Sequence, residues 1–515
     1  MESGARPMSD GDVDARSGEA PDPDADAARG RALDADALDV DTIASVSTAP
    51  GTGAVAVVRM SGPAALPVLR RVAPELPVPL DPRMATLVEI RDPDDGEPLD
   101  RAVATLFAAP ASYTGEDVVE ISCHGGWLVP ELVLDACLRA GARRAEPGEF
   151  TRRAYLHGKL DLVQAEAVAD VVGARSRALH RAALGQLERG LSRRVGALRE
   201  ALVGLEALLA HHIDFPEEDE PPVPLARVAE EAELVAAQIE AMLATAPEGE
   251  LLREGALTVL AGRPNAGKSS LYNALLGQER AIVTEEPGTT RDALEATVQL
   301  GGFPFRLVDT AGLREAGERI ERLGIEVTQR YLDRADLVLL CVPAGTGEGE
   351  REAAFLREVH DVPVVVLETK ADLLETKADL LEEGRSAGSG AEMPSGLGGS
   401  TRSEDSSRER ARVRVSAATG EGLDEVRRVL PELVYASVVA AGADAPVLTR
   451  RRHARCLEVA LREVRAFGEA LAQGLPAEVA STHLRPAETA LEEILGVISL
   501  DDVLDVVFRD FCIGK

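Results

Sequence analysis

Two rhythms of apolar and polar positions divide this chain. From Asp41 to Cys123, short apolar or alternating runs are bounded by Gly, Pro and Ser. That pattern predicts strands at Ile43–Ser47, Ala54–Met60, Met84–Arg91, Ala102–Ala108 and Asp117–Cys123. Pro50-Gly51-Thr52-Gly53 turns the chain between the first two, and a helix is predicted over Leu128–Ala140. The mixture predicts a small α+β domain. From Leu160 the period lengthens. Leu187, Leu191, Val195, Leu198, Leu202, Leu205 and Leu209 recur three and four apart, one stripe of a helical-bundle core. The run beginning at Pro216 breaks that pattern, and a second helix is predicted over Leu225–Ala244. Helical patterns return at Val447–Leu471, Pro476–Leu495 and Leu500–Phe511. Between them lie four apolar strand candidates, Leu257–Leu260, Phe305–Val308, Leu337–Val342 and Pro363–Leu367. Helices on both sides of an inserted α/β segment predict one bundle built from two chain segments.

Composition adjusts this picture at its edges. Residues 1–40 hold eleven acidic and four basic residues with almost no large apolar side chains, so they cannot offset their ordering entropy and read as a disordered acidic tail. The remaining boundaries are set at 41–157, 158–252, 253–437 and 438–515, with residues 384–410, rich in Gly, Ser and charge, as a flexible insertion. A formal net charge of -32 argues against a generally basic, nucleic-acid-coating surface but leaves room for a local basic patch. Cys123, Cys137, Cys341, Cys456 and Cys512 are scattered without zinc or disulfide spacing. No apolar run has transmembrane length and no basic-then-apolar leader is seen, so a soluble cytoplasmic protein without membrane contact is expected.

The densest chemistry follows Leu257–Leu260. Gly262-Arg263-Pro264-Asn265-Ala266-Gly267-Lys268-Ser269 is a Gly-x-x-x-x-Gly-Lys-Ser loop between a strand and a helical pattern. Its glycines allow backbone N–H groups to face phosphates, Lys268 supplies a charge for the β- and γ-phosphates, and Ser269 offers a hydroxyl to Mg²⁺. Gly288-Thr289-Thr290-Arg291-Asp292 brings Thr290 as a second Mg²⁺ ligand, and Asp309-Thr310-Ala311-Gly312 ends the next strand as metal and γ-phosphate sensor. Glu368-Thr369-Lys370-Ala371-Asp372 stands where GTPases carry Asn-Lys-x-Asp. Asp372 keeps the carboxylate that reads guanine, while Thr369 in place of asparagine predicts weaker positioning. The block repeats through Asp379, and Ser416-Ala417-Ala418 reads as the last guanine loop. Leu313 follows Gly312 where Ras-like enzymes place a water-orienting glutamine, so another group must do that work. Thr114-Gly115-Glu116-Asp117, Ser122-Cys123-His124-Gly125-Gly126 and Pro147-Gly148-Glu149-Phe150 read as structural turns when taken alone.

From Asp41 to Lys515 the chain resembles the MnmE (TrmE) family of bacterial tRNA-modification GTPases. The resemblance rests on Gly262–Ser270, Gly288–Asp292, Asp309–Glu315, Pro147–Phe150, Lys159-Leu160-Asp161-Leu162 and the terminal Phe511-Cys512-Ile513-Gly514-Lys515. It implies a multidomain architecture: an α+β N-terminal folate-binding and dimerisation domain, a discontinuous helical bundle, and an inserted Ras-like P-loop GTPase domain. It implies a homodimer working with MnmG, two copies of each, on the wobble uridine of tRNA. The product would be carboxymethylaminomethyl or aminomethyl uridine, with FAD and NADH brought by the partner and a 5-formyl- or 5,10-methylene-tetrahydrofolate supplying the one-carbon unit. Arg59, Glu120, Lys159 and Lys515 match the family's folate contacts. Asn265, Thr284, Glu286 and Thr289 match its K⁺ ligands, and Ser270, Thr284, Glu285, Glu286 and Pro287 complete the GTP-contacting set. Glu321 matches the family's candidate for positioning the hydrolytic water, although a solvated helix residue is the plain alternative. Cys512 reads either as a reactive thiol beside a basic terminus or as a buried anchor for the tail. A competing class is a GTP-switched ribosome-assembly factor without modification chemistry; such factors usually carry a basic RNA-binding domain.

Overall fold

The computed structural model describes residues 41–214, 223–278, 295–309, 330–346, 349–359, 362–373, 411–442 and 447–497, together with 504, 507–509, 511 and 514. The chain divides into two compact units, one ending at Glu146 and including Gly514, the other beginning at Pro147.

In the first unit the elements are β1 (Ile43–Val46), β2 (Val55–Ser61), α1 (Ala65–Val72), β3 (Thr86–Arg91), β4 (Pro98–Phe107), β5 (Val118–His124), α2 (Val129–Arg139) and β6 (Arg143–Arg144). The strands form one sheet in the order β3-β4-β5-β2-β1-β6, antiparallel except where β6 joins β1. Strand alternation sends Val58, Met60, Ala104 and Ile121 under α1 and α2, where they meet Val68, Leu69, Val133 and Leu134. The opposite set, including Arg59, Glu120 and Ser122, lies half-exposed. The five strands and α2 match the sequence pattern within two residues at nearly every end; β4 starts four residues early. Helix α1 was not anticipated: it spans only two turns with Pro67 in the first, yet its Val68, Leu69 and Val72 are buried. The Gly514 carbonyl accepts a 3.1 Å hydrogen bond from Ser47 Oγ, which ties this penultimate residue to the first unit.

Helices α3 (Glu149–Leu156), α4 (Leu162–Gly173), α5 (Arg177–Leu187), α6 (Gly190–Asp214), α7 (Leu225–Leu243) and α8 (Ala246–Glu254) open the second unit. Gly148 turns the chain into α3 at φ +69°, where a Cβ would come within 2.7 Å of the Phe508 carbonyl oxygen. Pro147–Phe150 is therefore a turn-and-helix start. Asp161 caps α4: its Oδ1 accepts from the Gln164 N–H at 2.8 Å, and Gln164 Oε1 accepts from the Asp161 N–H at 3.1 Å.

The chain then lays down β7 (Ala256–Gly262), α9 (Lys268–Gln278), β8 (Glu295–Leu300), β9 (Phe303–Asp309), β10 (Leu337–Pro343), α10 (Glu350–Glu358), β11 (Val364–Thr369), β12 (Arg412–Val415), α11 (Leu423–Val434) and α12 (Ala436–Ala441). Sheet order is β12-β11-β10-β7-β9-β8, parallel throughout except for β8. Near-continuous apolar strands such as Leu337–Val342 fit a sheet buried on both faces, with separate cores around Leu260 and Leu339 on one side and Val259 and Leu340 on the other.

Helices α13 (Arg451–Ala472), α14 (Ala477–Ser481) and α15 (Leu484–Leu495) return to the bundle. Leu198, Leu202 and Leu205 of α6 and Val235 and Ile239 of α7 share one core with Leu457, Phe467 and Leu491, so both chain segments build it. Two details differ from the sequence reading. Leu187 ends α5 and packs near Leu162, Phe508 and Phe511, because Arg189 (φ +66°) breaks the helix before the Leu191 stripe begins. The expected helix Pro476–Leu495 is two helices parted at Thr482-His483. Helix α5 also sits against the sheet of β7 to β12: Leu179 enters that core, and the Ala178 N–H donates to the Gly302 carbonyl at 2.9 Å.

Candidate functional site

Strand β7 runs buried up to Gly262, where the loop leaves the sheet. Gly262 pairs with Cys341 of β10 at φ +138°, and a Cβ there would meet the Cys341 carbonyl oxygen at 2.4 Å. Only glycine lets the two strands stay this close as the chain turns away. Asn265 adopts φ +61°, a left-handed conformation that asparagine tolerates better than most residues, and Gly267 follows at φ +90°. Helix α9 begins at Lys268, so its unpaired N–H groups and positive dipole end face the loop. The largely buried Lys268 folds back over the loop and donates from Nζ to the carbonyls of Arg263 (2.9 Å) and Gly262 (3.1 Å). Ser269 Oγ donates to Asp309 Oδ2 at 2.6 Å, joining the first residues of α9 to the end of β9. A hydroxyl and a carboxylate at this separation fit the hard-oxygen preference of Mg²⁺. Ser269 and Asp309 are thus the pair that would hold the ion beside the phosphates.

At the end of β11, Thr369 is buried and its Oγ1 donates to the Ala266 carbonyl at 2.5 Å. The threonine that replaces the usual asparagine therefore ties the loop after β11 to the phosphate loop. Lys370 takes φ +61°. Asp372 Oδ1 accepts from Ser416 Oγ at 2.8 Å, and that same Oγ accepts from the Thr419 N–H at 3.2 Å. The Ala371 N–H reaches the Val415 carbonyl at 3.3 Å, so Thr369–Asp372 and Ser416-Ala417-Ala418 form one rim at the carboxyl ends of β11 and β12. Ser270 lies exposed on the first turn of α9.

In the first unit, Arg59 and Glu120 stand directly opposite each other on β2 and β5. Arg59 donates twice to Glu120 Oε1, from Nη2 at 2.8 Å and from Nε at 3.0 Å, and its guanidinium lies 5.7 Å from the Tyr113 ring centre. Lys159 belongs to the second unit, exposed in the turn after α3. Thr284, Glu285, Glu286, Pro287, Gly288, Thr289, Thr290, Thr310, Ala311, Gly312, Glu321, Cys512 and Lys515 lie outside the described residues.

A buried ionic cluster escaped the sequence reading. Glu166 and Asp170, one turn apart on the buried α4, accept from three arginines and a histidine. Arg452 reaches Glu166 at 3.1 Å through Nε and Nη2, and the Nε2 of the fully buried His453 lies 2.7 Å from Glu166 Oε2. Asp170 Oδ1 receives Arg450 Nη2 at 2.8 Å and Arg253 Nε at 3.2 Å. Arg253 closes α8 just before β7, and Arg450 opens α13, so Asp170 holds both connections of the inserted domain to α4. Burial pushes the Glu166 carboxyl up, but the His453 hydrogen bond and the Arg452 and Arg450 charges outweigh it and hold it well below the usual range. Burial holds His453 below its ordinary value, which favours a neutral ring donating from Nε2. Its one signal in sequence was a pair of carboxylates four apart in an otherwise apolar helix, facing a later Arg-Arg-Arg-His run.

Among the described residues no group of three or more His, Cys, Asp or Glu is arranged to bind a metal, and no helix is long and apolar enough to cross a membrane. His124 Nδ1 meets Asp100 Oδ1 at 2.6 Å as an isolated pair. The four described cysteines are buried, and burial raises their thiols to about 11 (Cys123, Cys456) or about 12 (Cys137, Cys341).

A phosphate loop on the central strand of a mostly parallel six-stranded sheet, with Ser269–Asp309 and Asp372–Ser416 at the strand ends, defines a P-loop GTPase. The family follows from the comparisons. The GTP-binding protein TrmE N-terminus matches residues 42–159, and the MnmE helical domain matches residues 162–512. The tRNA modification GTPase MnmE of Moorella thermoacetica is 42% identical over 482 residues, covering 92% of this chain and 99% of that protein. The MnmE of Heliobacterium modesticaldum is 42% identical over 483 residues, and that of Neisseria gonorrhoeae (strain NCCP11945) 40% over 482, covering 92% and 93% of this chain and 99% of each relative. The chain belongs to the MnmE family.

Proposed function

We propose that this protein hydrolyses GTP to drive modification of tRNA at carbon 5 of the wobble uridine, acting with MnmG. The observation that carries this reading is the presence of two separate chemical sites in two compact units. One is the phosphate-loop site of the second unit; the other is the Arg59–Glu120 pair on the open sheet face of the first. A nucleotide site alone would serve any GTP switch. The second site, in a TrmE-type unit, suits tetrahydrofolate, because Glu120 accepts from the donor edge of a pterin and Arg59 offers a cation to a carboxylate. In this reading Lys159 and Lys515 add further cations, Cys512 serves the one-carbon chemistry, and FAD and NADH arrive with MnmG. Homodimerisation through the first unit and a cytoplasmic location belong to the same proposal.

Asn265, exposed beside the phosphates, is proposed as a K⁺ ligand with Thr284, Glu286 and Thr289, the ion taking the place of an arginine finger. Glu321 is proposed to position the attacking water. Both are tested by GTP turnover in KCl against NaCl for wild type, Asn265→Ala and Glu321→Ala. Unchanged K⁺ stimulation in Asn265→Ala, or unchanged K⁺-stimulated turnover in Glu321→Ala, removes the corresponding assignment. The function itself is tested by mass spectrometry of tRNA nucleosides from a strain lacking this protein. Loss of carbon-5 modification is expected, and intact modification overturns the proposal in favour of an assembly GTPase.

A further inference from the structure

One stretch runs against the charge of the whole chain. Between Arg175 and Arg199 there are seven arginines and a single acidic residue, Glu188, in a protein whose formal net charge is -32. Carboxylates are plentiful, with 88 Asp and Glu against 56 Lys and Arg, and elsewhere they are used: Arg139, Arg143, Arg227, Arg428 and Arg450 all make ion pairs. Within the stretch, Arg199 pairs with Glu492, and Arg189 donates to the neutral Gln164. Arg177, Arg181, Arg193 and Arg194 are exposed, and among the described residues their side chains make no ion pair or hydrogen bond.

Their placement follows from the helices. Helix α5 buries Leu179, Ala183 and Gln186, which turns Arg177 and Arg181 to the opposite, solvent side. Helix α6 buries Leu191, Ser192 and Val195, which leaves Arg193 and Arg194 outward on its first turn. Residues 182–192, which hold Glu188 and the sharp turn at Arg189, separate the two pairs. Arg177 and Arg181 lie one helical turn apart and Arg193 and Arg194 are adjacent, so within each pair the unneutralised charges repel, an arrangement relieved by a polyanion. Arginine also presents its donors in a planar fork suited to phosphate oxygens.

We propose that the outer face of α5 and the first turn of α6 form a docking ridge for the phosphate backbone of tRNA. The ridge rests on the reading that tRNA is the substrate. Its contacts are to phosphate, so they hold and orient the RNA without reading sequence.

The test is equilibrium binding of a labelled tRNA transcript to the full-length protein across a KCl series. It compares wild type with the fourfold variant Arg177→Gln, Arg181→Gln, Arg193→Gln, Arg194→Gln. Each lost phosphate contact lowers the slope of log affinity against log salt by about 0.7 to 0.9, so a fall of about 3 is expected. Affinity should drop at least ~10-fold at low salt while GTP turnover without tRNA stays unchanged. The control Arg227→Gln, on another helix, should bind like wild type. A fourfold variant with wild-type affinity and slope overturns the ridge and leaves tRNA as substrate. An equal loss in the control overturns it too, since net charge alone is then at work. If the fourfold variant loses only binding to poly-glutamate, the ridge serves an acidic protein and the proposal is wrong. Absence of tRNA binding by wild type overturns both the ridge and the substrate reading.

Discussion

The two six-stranded sheets of this chain solve the same burial problem in opposite ways. The sheet of β7 to β12 is covered on both faces, so no face is left for polar chemistry. Its functional groups collect where the strands end: Gly262 at the end of β7, Asp309 at the end of β9, Thr369 at the end of β11, and Ser416 after β12. The sheet of β1 to β6 is covered by helices on one side only, and its polar pair, Arg59 and Glu120, sits in mid-strand on the open side. A parallel sheet directs ligands to its carboxyl edge, whereas a half-covered antiparallel sheet offers a surface. The two sites should therefore respond to mutation differently.

The largest effect is expected at the strand-end site. Lys268→Ala removes the charge held over the phosphate loop and should lower kcat/KM for GTP by about 10²- to 10³-fold, with an unchanged circular dichroism spectrum. Next comes the buried cluster that anchors the inserted domain. Glu166→Ala strands His453 and Arg452 and should destabilise the bundle by about 3 kcal/mol in urea titration.

Smaller and more selective is Thr369→Val, which deletes the hydroxyl held by Ala266. GTP affinity should fall about fivefold, near the ~1 kcal/mol of one buried hydrogen bond, while Thr369→Ser restores it. If Thr369→Val binds GTP normally, the tie between the two loops is structural ornament and the strand-end account weakens.

His453 gives the pH dependence of the bundle. Its folded-state value is depressed, so the unfolded chain takes up the proton first as pH falls through about 6.5. Stability should be full above that pH and drop by about 1 kcal/mol at pH 5.5, a loss absent from His453→Gln. The smallest change in stability belongs to the open face. The side chains of Arg59 and Glu120 are 21% and 27% exposed, so Arg59→Ala should cost under ~1 kcal/mol while still abolishing the chemistry proposed for that face.

The same contrast explains what could be read from sequence. The strand-end site is made of contiguous loops, so Gly262–Ser269 and Thr369–Asp372 announced themselves by spacing. Arg59 and Glu120 lie 61 residues apart, one on each strand, and nothing local links them. Resemblance to a family picked them out, and only strand register explains why they meet. The apolar periods located β1 to β5, β7, β9 to β11 and the three long bundle helices α6, α7 and α13. They missed β12, whose Arg-Val-Arg-Val is too short to stand out, and α8, which merges with the preceding helical pattern. Periodicity also shows that a helix has a buried face without showing which core it faces. Helix α5 illustrates this, because its Leu179 enters the core of the inserted domain while the stripe beginning at Leu191 enters the bundle.

The central claim is that the phosphate-loop site governs chemistry carried out elsewhere in the molecule. Its most direct test pairs GTP turnover of purified Lys268→Ala and Arg59→Ala with mass spectrometry of wobble-uridine carbon-5 modification in tRNA from a deletion strain carrying each variant. The account predicts that Lys268→Ala loses turnover and modification together, while Arg59→Ala keeps wild-type turnover and loses modification. Full modification by Lys268→Ala, or by Arg59→Ala, would contradict it.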